Sequence, residues 1–269
     1  MKIAVFYENI LQAAHASGLN VPQVLKRLTD LGMENIYLTP DSWQKDEEML
    51  KVTLPELDLG IEGMHAWVRF TDDPESTLYK DYIDLALRIG AKNILFIPGM
   101  LLGGNTVRDL ERMVYGMKKA VAYGKEKGLP VTMEDFDSVL APNNCIAGLK
   151  YFADQVPGLE FAFDTGNFAF FQENELEALP LFEDRIATLH LKDRSLEKLN
   201  PNGKAFVRAD GTPLYSCPVG SGYIQIREVV DRMKELGYDG GAIVEVGDWS
   251  DDHMLEVLEE SVKWLKTVV

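Results

Sequence analysis

The sequence predicts an α/β protein of the (β/α)8 class, the TIM barrel, and three observations support this prediction. A short apolar segment followed by a longer amphipathic one recurs about every 30 residues along the chain. Several of the short segments are continuously apolar, such as Ile-Leu-Phe-Ile at 94–97, which is typical of parallel strands covered by helices on both faces. The chain has 269 residues, the usual length of one such barrel. We expect one barrel domain over residues 1–269, with a doubly wound open sheet as the alternative.

The strands and helices follow from this alternation. The predicted strands are 2–7, 35–39, 60–67, 93–98, 130–136, 159–165, 186–192 and 241–246. Amphipathic periodicity predicts helices between them, including 21–31, 75–89, 107–127, 226–236 and 251–266. A glycine follows four of the predicted helices, where a helix C-terminus favours it, at Gly32, Gly90, Gly128 and Gly237. Ser250 or Asp251 is the predicted N-cap of the last helix.

Composition and charge limit the classes of partner. Lysine and arginine number 27 against 43 aspartate and glutamate residues, so the formal net charge is −16. This balance repels phosphate backbones and argues against nucleic acid as a substrate. No apolar run approaches the length of about 18 residues that a membrane helix needs. The first segment meets an acid at Glu8, too early for a signal peptide, and Cys145 and Cys217 are expected to be free thiols, so we expect a cytoplasmic protein.

One predicted connection is much longer than the others. Residues 193–224 follow the seventh predicted strand and are rich in Asn, Pro, Gly and charged residues. Connections between a strand and the next helix usually have roughly two to six residues. Because active sites of TIM barrels lie at the C-terminal ends of the strands, we predict that this segment is a lid or a substrate wall. A plain insertion is the alternative.

The last four predicted strands each end near a side chain that can bind a metal ion. These side chains are Glu134, Asp164, His190 and Glu245, at intervals of 30, 26 and 55 residues. The first two intervals match one strand–helix unit, and the third matches one unit plus the long connection. Neighbouring parallel strands therefore direct three carboxylates and one imidazole into the same mouth of the barrel.

Three of these four residues also have an ordinary structural explanation, which for Glu134 is that of a solvated loop residue. Asp164 has the position of a helix N-cap, and His190 has the setting of a hydrogen-bonded core histidine. Glu245 is harder to explain, because burial of an unpaired charge costs several kcal/mol. A shared divalent metal ion explains all four residues. The donor set of three oxygens and one nitrogen favours Mn2+, with Mg2+, Co2+ or Zn2+ as alternatives.

The ordered combination of motifs resembles the xylose isomerase-like barrel superfamily, which includes sugar isomerases and epimerases, inosose dehydratase-type enzymes and the endonuclease IV group. The likeness covers the whole barrel. Its most specific elements are the Glu–Asp–His–Glu set on the fifth to eighth strands, the segment Asp164-Thr-Gly-Asn and the turn Val219-Gly220-Ser221-Gly222.

The resemblance implies a mechanism. In ketose 3-epimerases of this superfamily, the glutamates that match Glu134 and Glu245 are both metal ligands and acid/base groups. The metal chelates adjacent substrate oxygens and stabilises an enediolate, one glutamate removes a carbon-bound proton, and the other returns one. Lewis-acid polarisation and opposed carboxylates are suited to this chemistry.

The sequence departs from the epimerase pattern at two positions. Asn167 stands where a substrate-binding histidine is usual, and Leu196 stands where an arginine is usual. Lys192 or Arg194 is the expected substitute for that arginine, and a solvated loop is the alternative for both. These departures concern the substrate and leave the predicted metal site unchanged.

Further residues are predicted at the mouth, and we expect substrate binding from Asn167, Lys192, Arg194 and the three described next. His65 ends the third strand, and the alternative is a structural histidine. Tyr7, with Glu8, ends the first strand. Trp249 follows Glu245 and can stack on a sugar face, with helix packing as the alternative.

The leading functional hypothesis is a metal-dependent isomerase or epimerase that acts on a small sugar or polyol-derived ketone. The alternative is a lyase or dehydratase that uses the same proton abstraction. A phosphodiester endonuclease is disfavoured, because that group uses many histidines and only four occur here. A non-enzymatic sugar-binding or scaffold protein is disfavoured by the costly carboxylates. Barrels of this group form dimers or tetramers, so a homo-oligomer is also considered.

Overall fold

Eight parallel strands form a closed barrel in the computed structural model, which describes residues 1–247 and 253–269. The barrel strands are β1 (Lys2–Phe6), β2 (Asn35–Leu38), β3 (Gly60–Trp67), β4 (Ile94–Ile97), β5 (Val131–Met133), β6 (Glu160–Asp164), β7 (Ile186–Leu191) and β11 (Gly241–Val244). Each strand pairs with its neighbour in the chain, and β11 pairs in parallel with β1 to close the barrel. The predicted TIM barrel is confirmed, and the open-sheet alternative is wrong.

Helices separate the strands and form the outer layer. They are α1 (Tyr7–Ser17), α2 (Val21–Leu31), α3 (Pro40–Glu56), α4 (Leu78–Ile89), α5 (Thr106–Lys127), α6 (Ile146–Gln155), α7 (Glu175–Phe182), α8 (Ile226–Glu235) and α9 (Met254–Leu265). Short 3-10 helices cover Phe168–Phe171 and Glu183–Arg185. Predicted helix 21–31 coincides with α2, and 107–127 and 226–236 each differ from the structure by one residue at one end.

Two helix starts differ from the predictions. Helix α4 begins at Leu78 and not at residue 75, because the side chain of Asp73 accepts a hydrogen bond from the backbone N–H of Glu75 and forms a turn there. Helix α9 begins at Met254 in the described part of the chain. The predicted N-caps Ser250 and Asp251 lie outside the described residues.

Helix ends are fixed by capping groups that the sequence shows directly. Gly90 ends α4 with φ 79°, and Gly128 ends α5 with φ 77°, a left-handed conformation that glycine adopts without strain. At the other end, Thr39 caps α3 by accepting a hydrogen bond of 3.1 Å from the backbone N–H of Ser42. The N-cap lies at the mouth end of its helix, and the two glycine C-caps lie at the opposite end, shortly before the next strand.

Among the described residues, the apolar core consists of one large part and two small clusters, of which Leu95, Ile97 and Ala162 form the smallest. The larger part fills the space between the strands and the surrounding helices. A smaller cluster lies inside the barrel and consists of Ala4, Phe6, Tyr37 and Ile243. The inner cluster supports the mouth from below, because Phe6 and Tyr37 contact the histidine rings there.

The long connection after β7 forms a small antiparallel sheet of its own. Its strands are β8 (Arg194–Ser195), β9 (Phe206–Val207) and β10 (Pro213–Ser216), in the order β8-β10-β9. The sheet lies at the C-terminal face of the barrel, because β8 follows β7 almost directly. Its strands have two to four residues, which is too short to give a periodic pattern in the sequence.

One side chain joins the first helix to the end of the last barrel strand. The amide of Asn9 donates a hydrogen bond of 2.9 Å to the carbonyl of Val246 and accepts one of 3.0 Å from its backbone N–H. Asn9 therefore pairs with Val246 as another strand would. The contact fixes the residue that follows Glu245.

Cys145 and Cys217 both have free thiols, in agreement with the prediction. Among the helices of the described residues, none combines the length and the apolarity that a bilayer crossing requires.

Candidate metal centre

The four predicted metal ligands converge at the C-terminal mouth of the barrel. Glu134 follows β5, Asp164 ends β6, His190 lies in β7 and Glu245 follows β11. One potential ligand atom from each residue lies within 4.8 Å of those of the other three. Asp164 and His190 are buried, and the two glutamates are half-buried. The group could therefore hold a metal ion at the edge of the solvent.

The distances between donor atoms fit one shared ion. Nδ1 of His190 lies 3.1 Å from Oε2 of Glu134 and 3.6 Å from Oε2 of Glu245. Two ligands that each bind an ion at about 2.1 Å lie roughly 3–4 Å apart. Three carboxylates and one imidazole also form a donor set suited to a hard or borderline divalent ion.

A tight turn holds Asp164. Its Oδ1 accepts hydrogen bonds from the backbone N–H groups of Gly166 (2.8 Å) and Asn167 (2.9 Å), so Oδ2 remains for a cation. Glycine is required in this turn, because a Cβ on Gly166 would lie 2.6 Å from the backbone oxygen of Lys192. The Asp-Thr-Gly-Asn segment thus orients one carboxylate oxygen into the site.

Lys192 places a positive charge directly beside the ligands. Its Nζ lies 2.6 Å from Oε1 of Glu245, 3.0 Å from Oδ2 of Asp164 and 2.9 Å from Oδ1 of Asn167. Burial acts to lower the pKa of Lys192, but the carboxylates of Asp164 and Glu245 outweigh it and raise the pKa well above its usual value. The side chain is therefore an ammonium ion.

The environments of the two glutamates shift their pKa values in opposite directions. Burial raises the pKa of Glu134 to about 7, although its hydrogen bond with His190 partly opposes the shift. Burial also acts to raise the pKa of Glu245, but the charges of Lys192 and His190 outweigh it and lower the pKa. One carboxyl group can thus carry a proton near neutral pH while the other is ionised.

The pKa values of the other two predicted ligands, Asp164 and His190, are also shifted. Burial raises the pKa of Asp164, against the opposing charge of Lys192. Burial acts to lower the pKa of His190, but the hydrogen bond and charge of Glu134 outweigh it and raise the pKa. Such shifts at grouped side chains are typical of functional sites.

Asp135 is a buried acid that the sequence analysis did not single out. Neither of its carboxylate oxygens has a hydrogen-bond partner among the described residues. Burial, together with the charges of Asp164 and Glu134, raises its pKa well above the usual value. The only signal in the sequence was its position directly after Glu134.

Asp193 was also missed, and it holds the Gly-x-Gly turn. Its carboxylate accepts hydrogen bonds of 2.9 Å from the backbone N–H groups of both Gly220 and Gly222. It also accepts one of 3.3 Å from Ile224. The end of the insertion is therefore fastened to the residue that follows Lys192.

The structure places Arg194 between the insertion and the barrel. The side chain is buried, its Nη2 lies 3.1 Å from Oδ2 of Asp137, and its guanidinium carbon lies 4.3 Å from the centre of the Phe206 ring. Arg194 thus links β8 and β9 to the connection after β5. Leu196, at the position where an arginine is usual, is 60% exposed.

The other predicted mouth residues have different positions. His65 lies at the mouth, stacked on Tyr37 with ring centres 5.5 Å apart. Tyr7 packs among the residues between barrel and helices, and its hydroxyl donates a hydrogen bond of 2.9 Å to Asp46 of α3. The structure therefore does not bring Tyr7 to the metal ligands. Trp249 lies outside the described residues.

A comparison with family models identifies the family of this barrel. The model described as xylose isomerase-like TIM barrel matches residues 30–268. The chain belongs to this family. This membership indicates an enzyme that acts on sugars as an isomerase, epimerase or dehydratase, and the chain has a group of residues suited to a metal ion.

Relatives within the family include inosose dehydratases. The inosose dehydratase of Geobacillus thermodenitrificans is 31% identical over 235 residues, which cover 76% of this chain and 75% of that protein. That of Clostridium perfringens (strain 13) is 24% identical over 248 residues, which cover 85% of this chain and 82% of that protein.

Solved structures share the fold at low sequence identity. The IOLI protein with a bound zinc atom has a TM-score of 0.74 and 16% identity, and the match covers 100% of this chain and 98% of that chain. D-allulose 3-epimerase from Methylomonas sp. has a TM-score of 0.72 and 15% identity, with the same coverage of both chains. These structures support the barrel architecture.

Proposed function

We propose that this chain is a metal-dependent enzyme that removes the proton next to the carbonyl group of a small sugar or polyol-derived ketone. The observation that carries the proposal is the convergence of four donor atoms within 4.8 Å at the mouth, two of them from glutamates. A divalent ion held by Glu134, Asp164, His190 and Glu245, preferably Mn2+, would polarise the carbonyl and stabilise the charge of the enediolate.

The chain's own residues divide the proton transfers. Glu245, whose pKa is lowered, is the proposed base that takes the carbon-bound proton. Glu134, whose pKa is about 7, is the proposed acid. Lys192 and Asn167 are the proposed substrate-binding groups beside Glu245, because their side chains meet there at 2.9 Å.

Isomerisation or epimerisation is the first candidate outcome. In this reaction Glu134 returns a proton to the neighbouring carbon or to the opposite face of the same carbon. Glu134 follows β5 and Glu245 follows β11, so β6 and β7 separate the strands of the two glutamates. Two carboxyl groups on separate strands are suited to acting on different faces of a bound substrate.

Dehydration is the second candidate outcome, and the 31% identity to an inosose dehydratase specifically favours it. Here the same proton abstraction at Glu245 is followed by loss of the hydroxyl group on the next carbon. Glu134 then protonates that hydroxyl so that it leaves as water. The two outcomes share the first step and differ in the destination of the second proton.

The test uses purified protein loaded with Mn2+ in deuterated water, with a panel of ketoses and keto-cyclitols. Deuterium incorporation without loss of water supports isomerisation or epimerisation, and loss of water from the substrate supports dehydration. Metal content is measured on the same samples. Failure to bind a divalent ion under any loading condition would overturn the proposal.

A further inference from the structure

A group of polar side chains lies on the wall of the mouth formed by the first three strands, across from the metal ligands. Glu8 follows β1, Thr39 and Ser42 follow β2, and His65 lies in β3. The metal ligands come from the last four barrel strands. The two groups therefore occupy opposite halves of one opening.

Hydroxyl groups fix the carboxylate of Glu8 through one oxygen only. Its Oε1 accepts hydrogen bonds of 3.1 Å from Thr39 and 2.6 Å from Ser42. Ser42 is itself held, because its backbone N–H donates to Thr39 at the start of α3. The second oxygen, Oε2, is buried and has no hydrogen-bond partner among the described residues. An oriented acceptor without a partner is costly unless a ligand or water pairs with it.

His65 is fixed by aromatic contacts instead of hydrogen bonds. Its ring lies parallel to that of Tyr37, at an angle of 3°, and 5.2 Å from the ring of Phe6. Its buried Nδ1 has no hydrogen-bond partner among the described residues. Burial lowers the pKa of His65, and the charge of Glu8 opposes this shift only in part. The imidazole of His65 and the carboxylate of Glu8 are therefore close enough to interact at the mouth.

An aromatic pair bridges this wall and the metal ligands. Trp67, two residues after His65, packs edge-on against Phe136, two residues after Glu134, with ring centres 5.8 Å apart. Trp67 remains 39% exposed. Aromatic faces at such positions are suited to the C–H faces of a sugar or cyclitol ring.

The charges at the mouth disfavour an anionic substituent on the substrate. Lys192 is bound to Asp164 and Glu245, and Arg194 is bound to Asp137. A phosphate or carboxylate group that reached the wall would instead meet the carboxylate of Glu8. A like-charge contact of this kind costs several kcal/mol, whereas a hydroxyl can donate to the same oxygen.

We propose that Glu8 and His65 form a recognition site for the hydroxyl groups of an uncharged polyol, a free sugar or a cyclitol, and that this site rejects phosphate esters. The proposal rests on the proposed function, in that the same molecule presents its carbonyl to the metal ligands. Glu8 accepts a hydrogen bond from one hydroxyl, His65 binds a neighbouring one, and Thr39 and Ser42 position Glu8.

Binding is measured by calorimetry on the Mn2+-loaded protein, with myo-inositol and myo-inositol 1-phosphate as a matched pair of probes. We expect the uncharged probe to bind more tightly than its phosphate ester. Glu8→Gln should weaken myo-inositol binding by roughly 10- to 100-fold, the effect of losing a hydrogen bond to a charged group, and should reduce the discrimination against the ester. Glu48→Gln, at an exposed glutamate of α3, is the matched control.

Ser42→Ala provides a milder variant that keeps the carboxylate and removes one of its supports, and it should weaken binding less than Glu8→Gln. Equal or tighter binding of the phosphate ester would overturn the proposal, as would unchanged myo-inositol affinity in a folded Glu8→Gln protein. Metal content and deuterium exchange of Glu245→Gln are measured separately. They report on the proposed function, so the two failures are distinguishable.

Discussion

The ammonium nitrogen of Lys192 lies 2.9 Å from the amide oxygen of Asn167, and this contact joins a position where the chain departs from the epimerase pattern to a candidate substitute for the missing arginine. Asn167 also donates a hydrogen bond of 2.8 Å to the backbone carbonyl of Asp135. The amide of Asn167 is therefore held through both its nitrogen and its oxygen. The oxygen accepts a hydrogen bond from Lys192, which also contacts Glu245. An asparagine is suited to this place, because it carries no charge that would compete with Lys192.

Glu245→Gln should retain the fold and lose deuterium exchange. The glutamine fills the same volume but cannot take a proton, and the loss of a general base typically lowers the rate by about 100- to 10,000-fold. Exchange is followed by NMR in deuterated water, with the exposed Glu48→Gln as control. Exchange at the wild-type rate in Glu245→Gln would assign the base to another residue.

Asp164→Asn should separate turn formation from metal binding. The amide oxygen can still accept hydrogen bonds from Gly166 and Asn167, so the turn is retained. The charge that faces Lys192 and the ion is lost, and we expect metal affinity to fall by at least about 10- to 100-fold, as it does when supporting groups are removed. Calorimetric titration with Mn2+ measures this. As a control, the variant Asp30→Asn at a surface position should bind Mn2+ with the affinity of the wild type.

Lys192→Met should destabilise the protein in a way that a metal ion reverses. Removing the ammonium leaves the carboxylates of Asp164 and Glu245 uncompensated, which typically costs about 3–5 kcal/mol for a buried pair. Lys92→Met is the matched control, since Lys92 lies 2.9 Å from buried Glu62, away from the predicted metal ligands. Urea unfolding measures the loss of unfolding free energy of each variant relative to the wild type, in EDTA and in Mn2+. This loss should become smaller in Mn2+ only for Lys192→Met. Equal recovery in both variants would contradict this prediction.

The metal-free protein should lose stability as pH rises from about 4.5 to 7. Over this range Glu134 binds more protons in the folded state, where its pKa is about 7, than in the unfolded state, where its usual value is 4.5. The unfolding free energy therefore falls with pH, by up to about 3 kcal/mol. Urea unfolding in EDTA at several pH values measures this contribution. Glu134→Gln should flatten the profile, and a steeper fall in the variant would contradict the assignment.

Arg194→Met should loosen the small sheet formed by the insertion. The variant loses the ion pair with Asp137 and the contact of the guanidinium with Phe206. Limited proteolysis should then cleave within the insertion several-fold faster than in the wild type, because cleavage follows the population of the open state. Arg227→Met, at an exposed arginine of α8, is the control. An unchanged cleavage pattern would show that other contacts hold the sheet.

The sequence was sufficient to predict the barrel and the grouping of the four candidate metal ligands. Parallel strands that alternate with helices close in only a few ways, so spacing alone brought Asp164 and His190 to one mouth. The Asn9 contact with Val246 was not predictable in the same way. It joins positions 237 residues apart, and nothing in the local pattern marks Asn9.

The positions of individual side chains around the site were harder to predict. Tyr7 was expected at the mouth, and the structure places it between barrel and helices, because alternate residues at a strand end face opposite sides. Asp193 accepts hydrogen bonds from backbone N–H groups, and Asp137 pairs with Arg194. Both contacts depend on the fold of the insertion. Such contacts arise from tertiary structure and leave no periodic signal.

The division of the mouth between the two halves of the chain has a consequence for how new specificities can arise. The four predicted metal ligands lie in or directly after β5, β6, β7 and β11, while Glu8 follows β1 and His65 lies in β3. On the proposed roles of these residues, a chimera that joins the first half of a relative to the second half of this chain would inherit the relative's choice of polyol and retain this chain's chemistry. Recombination at the connection before β5 would therefore exchange the proposed substrate-recognition residues together, in one step.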